Sequence, residues 1–217
     1  MSTKLESVFT IEKSAEQKRD TILGNIIAML VERKYILDNN VASEIIKTLT
    51  KPNNPEHDDS KYTIKINNYE TNKEITTLII KLIPYKITSV SKTYGISDFL
   101  NSDRDVPKIL VVDEVSKRAM SIIKTYKNVE VFEEEFLMIN WQEHVFCPKH
   151  EKLNRQEKQA VLEEYLMKKV QMPRILISDP GSIYYNAKIG DVFRITRPST
   201  RSGITRFYRL VVPAPAK

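Results

Sequence analysis

The sequence predicts an α+β protein in two parts: an N-terminal α/β domain built on a mixed sheet, and a small C-terminal α+β domain closed by a β-hairpin. Three stretches carry this reading. Ile22, Leu23, Ile26, Ile27, Leu30 and Val31 recur at spacings of three and four with Arg19, Asn25, Glu32 and Arg33 between them, the pattern of an amphipathic helix. Ile109, Leu110, Val111 and Val112 form a short continuous apolar run, the signature of a strand buried on both faces. Residues 192–195 and 204–212, separated by a turn from Pro198 to Gly203, read as two strands of a hairpin.

The remaining elements follow in order. Residues 1–19 are polar at their start and are expected to be a flexible lead, followed by a domain over 20–142 and a second over 143–217. After the first helix, Asp38-Asn39-Asn40 interrupts the pattern, and 41–49 predicts a shorter helix stopped by Lys51-Pro52. Residues 53–60 read as a surface loop, and 62–66 and 75–83 as strands rich in β-branched residues. Ser116 is placed to cap a helix reaching Tyr126, and 129–132 returns as a strand, so strand, helix and strand follow one another over a short span. Beyond residue 143, Asn154 and Glu157 form a capping box ahead of a helix with Val161, Leu162, Tyr165 and Leu166 on one face, ending near Lys169. Residues 172–177 read as extended, and Asp179-Pro180 opens a short helix that Asn186 is suited to end.

Composition bounds the function. With 217 residues and 41% apolar content, the chain has enough material for a sizeable core. Its longest apolar run is broken by Thr76, Thr77 and Lys81, so no bilayer span and no membrane partner are expected. The start lacks an apolar block behind basic residues, so a secretory signal is not expected, and the single cysteine, Cys147, fits a reducing compartment. The net charge of +6 is uneven. Through Glu143 there are 20 Lys and Arg against 22 Asp and Glu; from His144 onward there are 14 against 6. The basic C-terminal part is therefore expected to meet an acidic partner, nucleic acid or protein.

Two clusters invite a chemical reading. His144, Cys147 and His150 have zinc-ligand identities, but a structural site takes four ligands, and the chain offers only His57 as a further histidine and no second cysteine. A buried thiol with two hydrogen-bonded or exposed imidazoles is the simpler expectation, and nothing near Cys147 suggests a lowered thiol pKa. Asp113 and Glu114 at a strand end, with Lys117 nearby, have the residue types of a metal-dependent nuclease. No motif supplies the second carboxylate group, so solvated or dipole-stabilising acids are preferred, and Glu133-Glu134-Glu135 reads as an exposed, acidic helix start or edge rather than a metal site. A free-standing metal-dependent nuclease or DNA-binding protein is kept as the alternative function. Arg194, Arg197, Arg201, Arg206 and Arg209 lie on the hairpin, where the strand period puts several on one face suited to phosphate or acidic protein.

One set of motifs carries a family resemblance: His144, Pro148, Lys149 and His150; Met172-Pro173-Arg174-Ile175; Asp179-Pro180; Tyr185; Gly190-Asp191-Val192; and Tyr208-Arg209. In order and spacing they resemble the fifth subunit shared by the eukaryotic nuclear RNA polymerases and its shorter archaeal RNA polymerase counterpart. A weaker similarity runs upstream through Asn140, Val131-Phe132 and strand 108–112, toward the jaw domain that the archaeal counterpart lacks. Asn186 stands where the family usually has Gly, Ile183 where it often has Arg, and Pro213 to Lys217 extend past its usual end. The poorly matching N-terminal third suggests a large DNA virus or a deep-branching protist as the source.

The resemblance implies a noncatalytic polymerase subunit without cofactor, metal or catalytic residues. It implies that Pro148, Lys149, His150, Pro173, Arg174, Asp179 and Pro180 shape a domain docking on the largest subunit among other polymerase subunits. It implies that the turn bearing Lys117 and Arg118 lies beside downstream duplex DNA. It implies a nuclear location in a cell, or the virion and viral transcription sites for a viral member.

Overall fold

A computed structural model describes residues 13–49, 61–68, 73–90, 95–144, 146–201 and 203–214. The fold class is α+β, and the chain divides into two compact units, Met1–Ile139 and Asn140–Lys217.

The first unit is a four-stranded mixed sheet in the order β1-β2-β3-β4, with β1 (Lys61–Asn68) antiparallel to β2 (Lys73–Ile83), and β3 (Lys108–Val112) parallel to both β2 and β4 (Val129–Glu133). Parallel neighbours need crossovers. Here α3 (Ile96–Asn101) and α4 (Lys117–Ile123) lie within them and pack on one face, where Ile79, Ile83, Leu110 and Val112 meet Ile96, Phe99, Leu100, Ala119 and Ile123. The opposite face buries Tyr62, Ile64, Ile80, Ile109, Val111 and Phe132. On that side α1 (Ala15–Glu32) is tied to β4 by the Arg33–Glu130 ion pair at 2.9 Å, and to α5 (Glu134–Leu137) by the Asn25 amide donating to the Leu137 carbonyl at 2.7 Å. α2 (Asn39–Leu49) packs beside α1.

Helix α1 begins inside the stretch expected to be a flexible lead. Ser14 Oγ accepts from the Gln17 amide at 3.2 Å, and the Gln17 side chain accepts from the Ser14 amide at 3.1 Å. This reciprocal cap satisfies two of the first turn's orphan donors and starts the helix ahead of its apolar face. Residues 1–12 of that lead, like the loop expected at 53–60, lie outside the described residues. The helix after Ser116 ends at Ile123 rather than Tyr126, the short helix α3 has no counterpart in the sequence pattern, and α5 opens on the acidic run at Glu133 to Glu135 that reads as a helix start or edge.

Lys108 begins β3 and is only 2% exposed. Its amine donates to the Phe99 carbonyl at 2.6 Å and to the Ser102 carbonyl, and lies 5.2 Å from the Phe99 ring. A lysine is tolerated here because the carbonyls at the end of α3 have no helical partners and attract a cation.

The second unit is a four-stranded sheet in the order β5-β7-β8-β6. β7 (Val192–Ser199) and β8 (Gly203–Val212) are the expected hairpin, β5 (Lys149–Lys152) flanks β7 antiparallel, and β6 (Arg174–Leu176) flanks β8 parallel. α6 (Arg155–Glu164) has the expected capping box at Asn154 and Glu157 but stops well before Lys169. Its face joins Leu153, Val161, Met172 and Val192 in a small core. α7 (Pro180–Tyr184) opens on Asp179, whose carboxylate accepts from the Gly181 amide at 2.9 Å, and Asn186 follows it at φ 45°.

Candidate functional site

The cluster that organises the second unit is built around His150 on β5. The residue is 6% exposed, and its imidazole lies tilted against Trp141 at 5.1 Å and edge-on to Phe193 at 6.0 Å. Nδ1–H donates to the Pro148 carbonyl at 2.7 Å. The Tyr185 hydroxyl donates to the His150 carbonyl at 2.6 Å and accepts from the Gln142 amide at 2.9 Å, so these three groups satisfy one another. α7 approaches so closely that a Cβ at Gly181 would meet Trp141 at 3.1 Å and His150 at 3.4 Å, which explains a glycine in the helix's first turn.

The expected site residues divide by direction. His150 is buried, and Asp179 is half-buried as the cap of α7. Lys149, Pro173, Arg174 and Pro180 are exposed, and Pro148 is half-buried. Lys149 sits 3.7 Å from Glu151, whereas Arg174 makes no ion pair with any described residue. Trp141 and Gln142 complete the cluster, although a boundary at residue 143 places them in the preceding domain. They pack with His150 and Tyr185, and the unit accordingly begins at Asn140. The one signal available in the sequence is that the chain's single tryptophan stands close to His144.

His144, Cys147 and His150 do not converge. His144 accepts from the Phe146 amide at 3.3 Å, Cys147 Sγ donates to the Pro148 carbonyl at 3.7 Å, and His150 points into the core. Burial, reinforced by Asp179, pushes the Cys147 thiol up and away from thiolate. Among the described residues no group of three or more His, Cys, Asp or Glu is arranged to hold a metal ion. Glu114 pairs with Lys86 at 2.6 Å, and Asp113 lies near Glu134, where burial and then the Asp113 charge raise the Glu134 carboxyl.

The hairpin register divides the five arginines instead of gathering them. Arg197 and Arg209 share the face of Phe193 and Ile195, Arg194 and Arg206 occupy the other, and Arg201 lies in the turn. Arg194 grips Glu151 through two nitrogens at 2.8 Å, and Arg197 stacks 4.2 Å over the Phe207 ring. Lys117 and Arg118 are exposed in the first turn of α4, and neither makes an ion pair with a described residue.

Desolvation holds the His150 pKa below its usual 6.5, outweighing the Pro148 hydrogen bond. The imidazole is neutral in both states at high pH. As pH falls through about 6.5 the unfolded chain takes up the proton first, and stability declines until the pH passes the folded value. Chemical denaturation of the protein at pH 7.5 and pH 5.5 is expected to show this loss, and His150→Gln is expected to reduce it; equal slopes for both proteins would remove His150 as the cause.

The chain's likeness to known proteins covers both units. Residues 139–211 match the family described as RNA polymerase Rpb5, C-terminal domain. The chain is 34% identical over 212 residues to DNA-directed RNA polymerase subunit 5 of Acanthamoeba polyphaga mimivirus, covering 95% of this chain and 98% of that one. It is 34% identical over 132 residues to subunit rpabc1 of DNA-directed RNA polymerases I, II and III of Dictyostelium discoideum, covering 58% of this chain and 66% of the relative. To subunit Rpo5 of Methanosarcina acetivorans it is 44% identical over 70 residues, 32% of this chain and 90% of the relative.

Proposed function

Since the chain belongs to the DNA-directed RNA polymerase subunit 5 family, we propose that it is a noncatalytic subunit whose second unit docks on the largest polymerase subunit while its first unit flanks downstream duplex DNA. The observation that carries the docking reading is the division of the site: a closed aromatic and hydrogen-bonded core around His150 fixes the backbone, and Arg174 is left exposed without an ion pair among the described residues. A guanidinium in that position is available for a bidentate grip on a carboxylate of a partner. The excess of 14 Lys and Arg over 6 Asp and Glu from His144 onward gives the whole unit a field that favours an acidic docking face.

The first unit is near neutral, so its contact with DNA is local. Lys117 and Arg118 supply it, each adding roughly one unit to the salt dependence through sequence-independent phosphate contact. The relatives include a viral subunit and a subunit of polymerases I, II and III. The protein accordingly works in the nucleus in a cellular setting and in the virion and at viral transcription sites in a viral one.

The test is affinity purification of tagged protein from its native source, followed by mass spectrometry. The wild-type chain should bring down the large polymerase subunits, and Arg174→Glu should release them; retention of a full complement by Arg174→Glu would remove that residue from the docking face. Lys117→Glu with Arg118→Glu should leave assembly intact and lower the salt dependence of elongation-complex stability by about two units. An unchanged dependence would take the DNA contact away from this turn.

A further inference from the structure

The β1–β2 hairpin carries a charge arrangement that neither docking nor the α4 turn uses. On the face that α3 and α4 partly cover, the register sets Lys61 directly opposite Lys81, Thr63 opposite Ile79, and Lys65 opposite Thr77. The two lysine backbones are about 5 Å apart across the strands. Like charges in that relation destabilise a sheet unless something offsets them. The other face of the same strands explains why the segment is a sheet at all: Tyr62, Ile64, Ile66, Leu78 and Ile80 are all buried.

What sits on the charged face is graded. Ile79 is 6% exposed and lies beneath the cluster that includes Phe99, and the Lys81 amine is 5.9 Å from that ring. Lys61, Thr63, Lys65 and Thr77, farther out, are exposed. Neither Lys61 nor Lys65 forms an ion pair with a described residue. The acids on α3 and its exit, Asp98, Asp103 and Asp105, are exposed, and Asp103 acts on Lys108. Lys61 also acts on Lys108, so its positive field reaches across the sheet.

We propose that this lysine and threonine shelf is a second contact for a nucleic-acid backbone, independent of sequence. Three features select that ligand over an acidic protein segment. Ammonium groups are compact point charges, suited to phosphates and without the planar fork that grips a carboxylate. Hydroxyls alternate with the amines along β1, and Thr beside Lys is a usual donor set for phosphate oxygens. The only apolar member of the six, Ile79, is covered, so the shelf offers no anchor of the kind that centres a protein interface. None of the six is aromatic, which removes base stacking and leaves the backbone.

The shelf lies on the same side of the sheet as α4, whose first turn holds Lys117 and Arg118. One nucleic acid passing over that face would meet both sets of cations. The polymerase reading is used only for the source of the nucleic acid; the contact itself stands on the geometry of the sheet.

The experiment is a titration of the full chain with a mixed-sequence DNA duplex at several salt concentrations, for wild type and for Lys61→Gln with Lys65→Gln. The slope of log K against log salt should fall by about two units in the variant. Lys34→Gln with Lys47→Gln makes the same change of charge on exposed residues of the α1–α2 side, and should leave the slope within about half a unit of wild type. An equal fall in both variants would mean that net charge alone is being read and would overturn the proposal. So would loss of binding to poly-L-glutamate in the shelf variant with its DNA isotherm unchanged, which would give the shelf to an acidic protein. Thermal melts should show neither variant less stable than wild type, and Lys61→Gln with Lys65→Gln slightly more stable because it relieves the Lys61–Lys81 juxtaposition. Because the titration contains no other polymerase subunit, its failure is distinct from failure of the purification that tests assembly.

Discussion

Phe193→Ala is expected to lower the unfolding free energy of the second unit by about 3–5 kcal/mol. The ring is fully buried and meets His150 edge-on at 6.0 Å and Tyr185 at 5.6 Å. Removing it deletes the transfer free energy of an aromatic side chain and leaves a cavity whose walls are held apart by the Tyr185–His150 and Gln142–Tyr185 hydrogen bonds. Those bonds oppose collapse, so the cost belongs at the high end of the range for such truncations. Domain stabilities are about 5–15 kcal/mol, so a large part of the unit's margin is at stake. Urea denaturation followed by the fluorescence of Trp141, which sits in this cluster, measures it; a loss under about 1 kcal/mol would mean that the cluster repacks freely. Phe193→Leu keeps most of the volume and is expected to be milder by more than half.

The second large effect is expected in the first unit. Arg33 is 3% exposed at its side chain and Glu130 is 21% exposed, with Nη1 and Oε2 at 2.9 Å. Glu130→Ala removes the carboxylate of this ion pair from a buried guanidinium, and changes of that kind cost about 3–5 kcal/mol because the desolvated charge loses its paired carboxylate. The pair is not by itself a strong source of stability, since both ions lost hydration to form it. Replacing both together, Arg33→Met with Glu130→Leu, should therefore recover most of the loss. A double variant as unstable as Glu130→Ala would show that the charges themselves stabilise α1 against β4.

Periodicity makes the long elements legible. The apolar spacing of Ile22 to Leu30 and the unbroken run of Ile109 to Val112 each report burial directly, and both stand where expected. What escapes the pattern is local or long-range. The start of α1 is hidden because Ser14 and Gln17 are polar, and a reciprocal cap has no hydrophobic signature. The short helices α3 and α5 span too few turns for a period to emerge. Lys108 reads as a surface residue in any pattern, and only the free carbonyls of α3, brought to it by a parallel crossover, make its burial tolerable. At the site, the spacing of His144, Cys147 and His150 describes a chain path, whereas His150 is fixed by Trp141, Tyr185 and Phe193 from three other places in the sequence. The arginines of the hairpin are visible in the sequence, but their division between faces needs the register.

The position of β8 has a consequence for the order of synthesis. It lies inside the sheet of the second unit, with β7 on one side and β6 on the other, although β6 precedes both members of the hairpin in the chain. While β5, α6 and β6 are emerging from the ribosome, no sheet exists to hold them, and β6 has no partner until Gly203–Val212 arrives. The first unit, complete by Ile139, is free to fold beforehand, as N-terminal domains generally do. A nascent chain interrupted before β8 would carry a finished first unit and an incomplete second sheet. On the assembly reading, such a fragment is excluded from the polymerase by the topology of its own sheet.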